Sequence, residues 1–260
     1  MSVVNFLVKK WSNAGIQSGD TVLVHSSLKR LVRIVLREVG EKLTPDQVKD
    51  SLLEAVGLNG TILVPLFSFD FPRTGFFDLN ESVSQMGILT ETFRLDTRSI
   101  RTCHPIYSFA AIGAEAERFE NLNNKSGYGA DSPFGILHEL NGKIAVIGLD
   151  DQNSMTFYHY VEEMNQVDYR YFKDFTGDYI DRKGMKARRT YSLFVRNIEK
   201  GVLTDVNRMG DRLWEKGLYK GFRFDEDCGM RTISAAKLFE EVTDVIHSGK
   251  AREYLYSIKR

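Results

Sequence analysis

Five histidines are available for proton exchange near neutral pH: His25, His104, His138, His159 and His247. One of them has company at helical spacing. The stretch MTFYHYVEE at 155–163 sets Thr156, His159 and Glu162 at successive i, i+3 intervals. On a helix that spacing puts all three on one face, with hydroxyl and carboxylate each within reach of the imidazole. A carboxylate accepting from one ring N–H fixes the tautomer and raises basicity, leaving the other nitrogen free to take a proton. The tyrosines and phenylalanine around them would limit water. Such spacing also arises by chance, and the competing reading is a half-buried histidine with one ring nitrogen satisfied by backbone.

Other chemistries find less support. No two histidines stand at i, i+3 or i+4 and no Cys/His cluster exists, so any metal site would have to be assembled across the fold. The two cysteines, Cys103 and Cys228, form no C-x-x-C pair and no disulfide framework. A G-x-S-x-G elbow is missing. Ser26 and Ser27 follow a strand-like run without a glycine-flanked turn. Cys103 adjoins His104, yet neighbours in extended backbone point apart. Neither G-x-x-x-x-G-K-[ST] nor G-x-G-x-x-G occurs, which argues against a nucleotide-phosphate loop. General acid–base chemistry is what the residue pattern favours.

The elements that would position these groups follow from patterning. A chain of 260 residues with 42% hydrophobic content, 17 Phe and only 5 Pro can bury a sizeable core. TVLV, TILVPLF and KIAVIGL are strand-length apolar runs, too short for a membrane. MSVVNFLVKKW lacks the features of a signal peptide, so the cytoplasm is the expected compartment and no membrane partner is expected. Thirty-five basic residues balance 35 acidic ones, so no global field draws nucleic acid or another highly charged partner. TPDQVKDSLLEAVG carries a full set of helix signals: Thr44 as cap, Pro45 at the first helical position and Gly57 at the close. SPFGILHELNG and SMTFYHYVEEMN read as further helices, 170–200 as extended strands, and SAAKLFEEVTDVIHSGKAREYL as amphipathic helix. Strands alternating with helices predict a layered α/β architecture. We read one domain over 1–260, with a core over 1–165 and a lobe over 166–260 whose 165–225 stretch lids the site.

Five stretches in order carry a resemblance. They are GDTVLVHSSL at 19–28, GLNGTILVP at 57–65, RSIRTCHPIYSFAAIG at 98–113, SPFGILHEL at 132–140 and GKIAVIGLDDQNSMTFYHYVEE at 142–163. Over residues 1–165 the chain resembles the aminoglycoside 3-N-acetyltransferases, the antibiotic N-acetyltransferase family. The resemblance implies a mixed β-sheet flanked by helices and acetyl transfer from acetyl-CoA to an amine of an amino sugar, without a metal. By the same resemblance His159 is the general base, Glu162 its orienting carboxylate, and Thr156 lies beside the reacting carbonyl. Ser26, Ser27 and Leu28, with His104, Pro105, Ser108 and Phe109, would line the pantetheine channel. Ser132, Pro133 and Phe134 would lie beside it. The core becomes the CoA-binding and catalytic part, the lobe the acceptor side. The chemistry is consistent, because a sugar ammonium must lose a proton before attacking a thioester and a base with pKa about 7 suits that task.

Two departures bear on the acceptor. The chain is neutral, whereas a polycationic acceptor calls for an acidic pocket. DRKGMKARR at 181–189 crowds Arg182, Lys183, Lys186, Arg188 and Arg189 together. This is either a solvated turn or an acceptor-side anion site, with Arg182, Lys183 and Arg188 holding the diphosphate of a nucleotide-linked amino sugar. After HSSL comes KRLVRIVLREVGEKL, whose Lys29, Arg30, Arg33 and Arg37 either contact CoA phosphates or form a solvated helix face. Aminoglycoside and nucleotide-linked amino sugar both stay open. So do a CoA-binding protein without transferase activity and, more remotely, a hydrolase using Ser27 or Cys103. The aromatic-rich surface allows a homodimer without demanding one.

Overall fold

A computed structural model describes residues 1–259. The chain opens with α1 (Val3–Asn13), β1 (Thr21–Ser26), α2 (Lys29–Glu38) and α3 (Pro45–Val56). Thr44 and Gln47 form the reciprocal capping box at the head of α3, with Pro45 inside and Gly57 at φ 66° behind, as the sequence signals predict. Next come β2 (Thr61–Pro65), α4 (Phe71–Thr74), β3 (Phe76–Asp78), α5 (Ile88–Arg94), β4 (Ile100–Arg101) and β5 (Phe109–Gly113). The second half holds α6 (Pro133–Glu139), β6 (Lys143–Ile147), α7 (Phe157–Met164), β7 (Arg170–Ile180), β8 (Lys186–Arg196), β9 (Val202–Thr204) and α8 (Asn207–Glu215). It closes with β10 (Lys220–Gly221), β11 (Met230–Ser234), α9 (Ala235–His247), α10 (Ala251–Tyr254) and β12 (Tyr256–Ile258).

Seven strands form the main sheet in the order β10-β11-β6-β1-β2-β5-β4. β1 pairs in parallel with β6 and β2, and the flanking pairings are antiparallel, which gives the mixed sheet. Both faces are dry because successive side chains alternate. Leu23 and Leu63 join one core with Phe134, Phe157 and Leu238 from α6, α7 and α9. Val22, Val24, Ile62 and Val64 join the other with Trp11, Leu52 and Phe93 from α1, α3 and α5. Helix–sheet–helix layering follows, as the pattern predicts.

Beyond residue 165 the chain contributes to more than one sheet. A second sheet forms around the hairpin: β7 and β8 pair through eleven positions, from Arg170↔Arg196 to Ile180↔Lys186, and β3 joins them in parallel. That approach requires glycine, since a Cβ on Gly177 would lie 2.5 Å from the Gly75 carbonyl oxygen. The chain then returns, with β11 and β10 extending the main sheet beside β6 and α9 packing beneath it. β12 pairs with β9. Among the described residues no helix is long and apolar enough to cross a membrane.

His104 is fully buried, and its Nδ1 accepts from the backbone N–H groups of Ile106 and Tyr107 at 3.3 and 3.0 Å. Burial pushes its pKa down to about 3, whereas an unfolded histidine titrates near about 6.5. Between those values the unfolded chain binds the extra proton, so stability falls as pH drops from about 6.5 toward 3. The urea midpoint should therefore decline from pH 7 to pH 4.5, and His104→Asn should flatten that decline relative to wild type.

Candidate active site

The site begins where β6 ends. The 148–156 loop is braced by Asp151, whose side chain is 6% exposed. Its Oδ2 accepts from the hydroxyls of Tyr158 (2.6 Å) and Tyr219 (2.7 Å), and its Oδ1 accepts from Arg231 Nη2 (2.8 Å). Arg231 Nη1 also donates to the Leu149 carbonyl at 2.5 Å. Burial holds both phenols well above their ordinary pKa, so they remain donors. This network fixes the point at which α7 starts, and Phe157, Tyr158 and Val161 anchor the helix inward.

On α7, His159 Nδ1 stands 3.0 Å from Glu162 Oε2. The same carboxylate oxygen lies 2.7 Å from Arg170 Nε at the head of β7. Arg170 Nη1 donates to the Phe194 carbonyl (3.1 Å), and its Nη2 is 2.9 Å from His159 Nδ1. Nδ1 cannot bond both groups. An ionised carboxylate is acceptor-only and the guanidinium donor-only, and a charge-assisted Nδ1–H···Oε2 bond is the stronger choice. Assigned so, the proton sits on Nδ1 and the Nε2 lone pair is free. Burial pushes Glu162 up, but Arg170 and His159 pull it below the ordinary range. Burial and then the Arg170 cation push His159 below its usual value, opposed in part by Glu162. The imidazole is therefore neutral at pH 7.

His159, 18% exposed, sits where two cavities meet. The first, about 290 Å³, is walled by His25, Phe67 and the 151–156 loop. The second, about 310 Å³, is walled by Tyr128, Arg170, Lys173 and Arg196. Phe69, Tyr107, His159 and Thr204 belong to both. Tyr128 packs on the imidazole with ring centroids 5.1 Å apart, and Tyr107 on Tyr128 at 4.7 Å. Among the described residues no three His, Cys, Asp or Glu side chains come together to hold a metal ion.

His159 and Glu162 thus come together as their spacing predicts, and Thr156 shares a cavity with His159. Thr156 lies on the first cavity with its Oγ1 3.3 Å from His25 Nε2. Burial, with a smaller push from Arg231, takes His25 down to about 3, so it too is neutral. The 26–28 segment lies just past the cavity wall: Ser26, Ser27 and Leu28 are half-buried and line neither cavity. The expected channel residues of the HPIYSF and DSPFG stretches are a correction. His104, Ser108, Phe109, Ser132 and Phe134 are 0% exposed, and Pro105 and Pro133 are buried with them. They present no surface to a ligand because the fold uses them. Ser108 Oγ donates to the Leu66 carbonyl, Ser132 caps α6 with Pro133 at its first position, and Phe109 and Phe134 meet edge-to-face at 5.1 Å.

The 181–189 cations are engaged elsewhere. Arg182 Nη2 donates to the Arg101 carbonyl (2.8 Å), Lys186 and Arg188 face Asp178 (2.8 and 3.8 Å), and Lys183 is exposed in the hairpin turn. None lines either cavity at His159. On α2, Arg37 pairs with Glu38 at 2.8 Å, and Arg30 Nε donates to the Asp227 carbonyl. Cys103 Sγ points at the Glu120 carbonyl, 3.7 Å away. Sequence reasoning missed His25, Tyr107, Tyr128 and Arg170. Of these only His25 left a readable signal, as a polar residue at the carboxyl end of a buried parallel strand.

A sequence model of the aminoglycoside 3-N-acetyltransferase family matches residues 23–247, and the chain belongs to that family. Aminoglycoside N(3)-acetyltransferase VII of Streptomyces paromomycinus is 26% identical over 189 residues, covering 65% of this chain and 63% of that protein. The SPbeta prophage-derived aminoglycoside N(3')-acetyltransferase-like protein YokD of Bacillus subtilis (strain 168) is 28% identical over 167 residues, 55% of this chain and 59% of its own. These matches span less than two thirds of either relative's length. In fold, the structure of AAC-IIIb binary with CoASH superposes with TM-score 0.79 at 19% identity, over 95% of this chain and 97% of that one. The crystal structure of aminoglycoside acetyltransferase AAC(3)-Xa gives 0.78 at 22%, over 96% and 93%.

The charge arrangement has a testable sign. Arg170→Gln removes a cation that lowers the His159 pKa and leaves Glu162, which raises it. The His159 ring-proton titration followed by NMR should move to higher pH in the variant. A midpoint that stays or falls would break the assigned Nδ1–H···Glu162 arrangement.

Proposed function

We propose that this chain transfers the acetyl group of acetyl-CoA to an amine of an amino sugar, with His159 Nε2 as the general base. One observation carries the reading: a neutral imidazole, with one nitrogen committed to a buried carboxylate, faces the junction of two cavities. The first cavity takes the pantetheine arm and thioester, and the second takes the acceptor, so the amine meets the carbonyl beside Nε2. The amine nitrogen attacks the thioester carbon, the new C–N bond forms, and Nε2 accepts the nitrogen's proton. Collapse of the tetrahedral adduct breaks the C–S bond, and the proton passes to the departing thiolate. Holding both partners together supplies the rate without an enzyme nucleophile. With His25 Nε2–H donating to Thr156 Oγ1, the threonine O–H is free to donate to the developing oxyanion.

Family membership supports this reading, as do relatives whose structures are described as AAC-IIIb binary with CoASH and AAC-VIa bound to sisomicin. Aminoglycosides and nucleotide-linked amino sugars both belong to the acceptor class.

Thiol release from acetyl-CoA against a panel of both acceptor types tests the proposal. His159→Ala should lower kcat by about 10²- to 10⁴-fold, the usual contribution of a general base. CoA affinity by calorimetry should be retained. Undiminished turnover in the variant would remove His159 from the role, and CoA binding without turnover of any amine would leave a binding protein.

A further inference from the structure

We infer that the acceptor amine belongs to a molecule that also carries phosphate, and that Lys173 and Arg196 hold that phosphate in the second cavity. The inference deepens the transferase reading and rests on it for which cavity takes the acceptor. Three cations, Arg170, Lys173 and Arg196, line this cavity, and no Asp or Glu does. Arg170 is already matched by Glu162 at 2.7 Å. Lys173 and Arg196 are different: both are exposed, and among the described residues neither has a carboxylate oxygen within 4.0 Å. Two positive charges without a carboxylate partner therefore line the cavity that His159 also lines.

That field has a direct consequence for the acceptor. A polyamine sugar would bring its ammonium groups against like charge in a partly desolvated cleft, which selects against it. A phosphate or diphosphate meets donors suited to it, the planar Arg196 fork and the Lys173 ammonium. The rest of the wall fits a ring. Tyr171 and Phe175 lie on the same face of β7 as Lys173, at alternate positions, and Tyr171 is 43% exposed. Lys173 Nζ lies 5.6 Å from the Phe175 centroid, so its charge is held over the aromatic floor. These are not the hairpin-turn cations of 181–189. They come from opposite strands of the hairpin, at the end nearest the catalytic helix.

The test uses the full chain, wild type against the Lys173→Glu/Arg196→Glu double variant, with Lys173→Arg as the conservative control. Acceptors are glucosamine 1-phosphate, a uridine-diphosphate-linked amino sugar, glucosamine and kanamycin. In parallel, calorimetry measures binding of glucosamine 1-phosphate and UDP to the CoA-loaded protein, and of CoA to the free protein. Phosphorylated amines should be preferred over glucosamine in kcat/KM by about tenfold or more, with a preference that weakens as salt rises. The double variant should raise their KM about 10- to 100-fold, the loss of one or two charge-assisted contacts, and Lys173→Arg should keep most of the affinity. A further gain from the sugar monophosphate to the nucleotide would assign the aromatic floor to a base. No gain would assign the site to a sugar phosphate alone, and either result supports the phosphate site.

Kanamycin as the preferred acceptor of the wild type would overturn the inference. So would unchanged phosphate affinity in the double variant, or a loss confined to CoA, which would assign these cations to the donor's own phosphates. Phosphate binding that is present in the wild type and lost in the variant, without any turnover, would sink the transferase reading and leave the anion site standing.

Discussion

Glu162, 2% exposed, is a negative charge inside the protein, and the site is arranged around making that tolerable. A buried carboxylate survives only with close, well-directed partners. Arg170 and His159 are those partners, one the first residue of β7 and one from the preceding turn of α7. The pairing welds α7 to the small sheet. Removing the arginine would leave the buried carboxylate with the neutral imidazole alone, and breaking a buried ion pair typically costs about 3–5 kcal/mol. A second buried pair, Asp151–Arg231, holds the other end of the same helix to the main sheet. Two ionic clamps therefore set α7, and through it the imidazole, with respect to both sheets.

Where sequence reading succeeded, the signal was local. The T-x-x-H-x-x-E spacing, the α3 capping box and the apolar strands all express backbone periodicity, which a short window contains. It failed where a polar residue in a recognisable stretch had to be sorted into ligand contact or scaffold. His104 and Ser132 are polar, lie near chain turns and could have faced a channel. In the fold they satisfy backbone N–H groups in the interior instead. Residue type alone does not separate those uses.

Charge was harder to place for a related reason. The run at 181–189 is conspicuous because it is contiguous, and contiguity on a hairpin turn means solvent. The cations that line the second cavity with His159 are Arg170, Lys173 and Arg196, scattered along the sequence. They share it only because β7 and β8 pair with Arg170 opposite Arg196. Register between long strands is a tertiary fact, and no window of sequence displays it. The same holds for Tyr128, which packs on the imidazole, and for Tyr107, which packs on Tyr128 from a separate loop.

The three-stranded sheet of β3, β7 and β8 shares no strand with the seven-stranded one. Arg170 ties it to α7, while Tyr171 and Lys173 are exposed on it. Exposed side chains there can be exchanged at little cost to the packing that aims the imidazole. On the reading proposed above, an ancestral enzyme of this architecture could change its choice of amine through a few surface substitutions on one hairpin. The machinery that handles the thioester would be inherited intact.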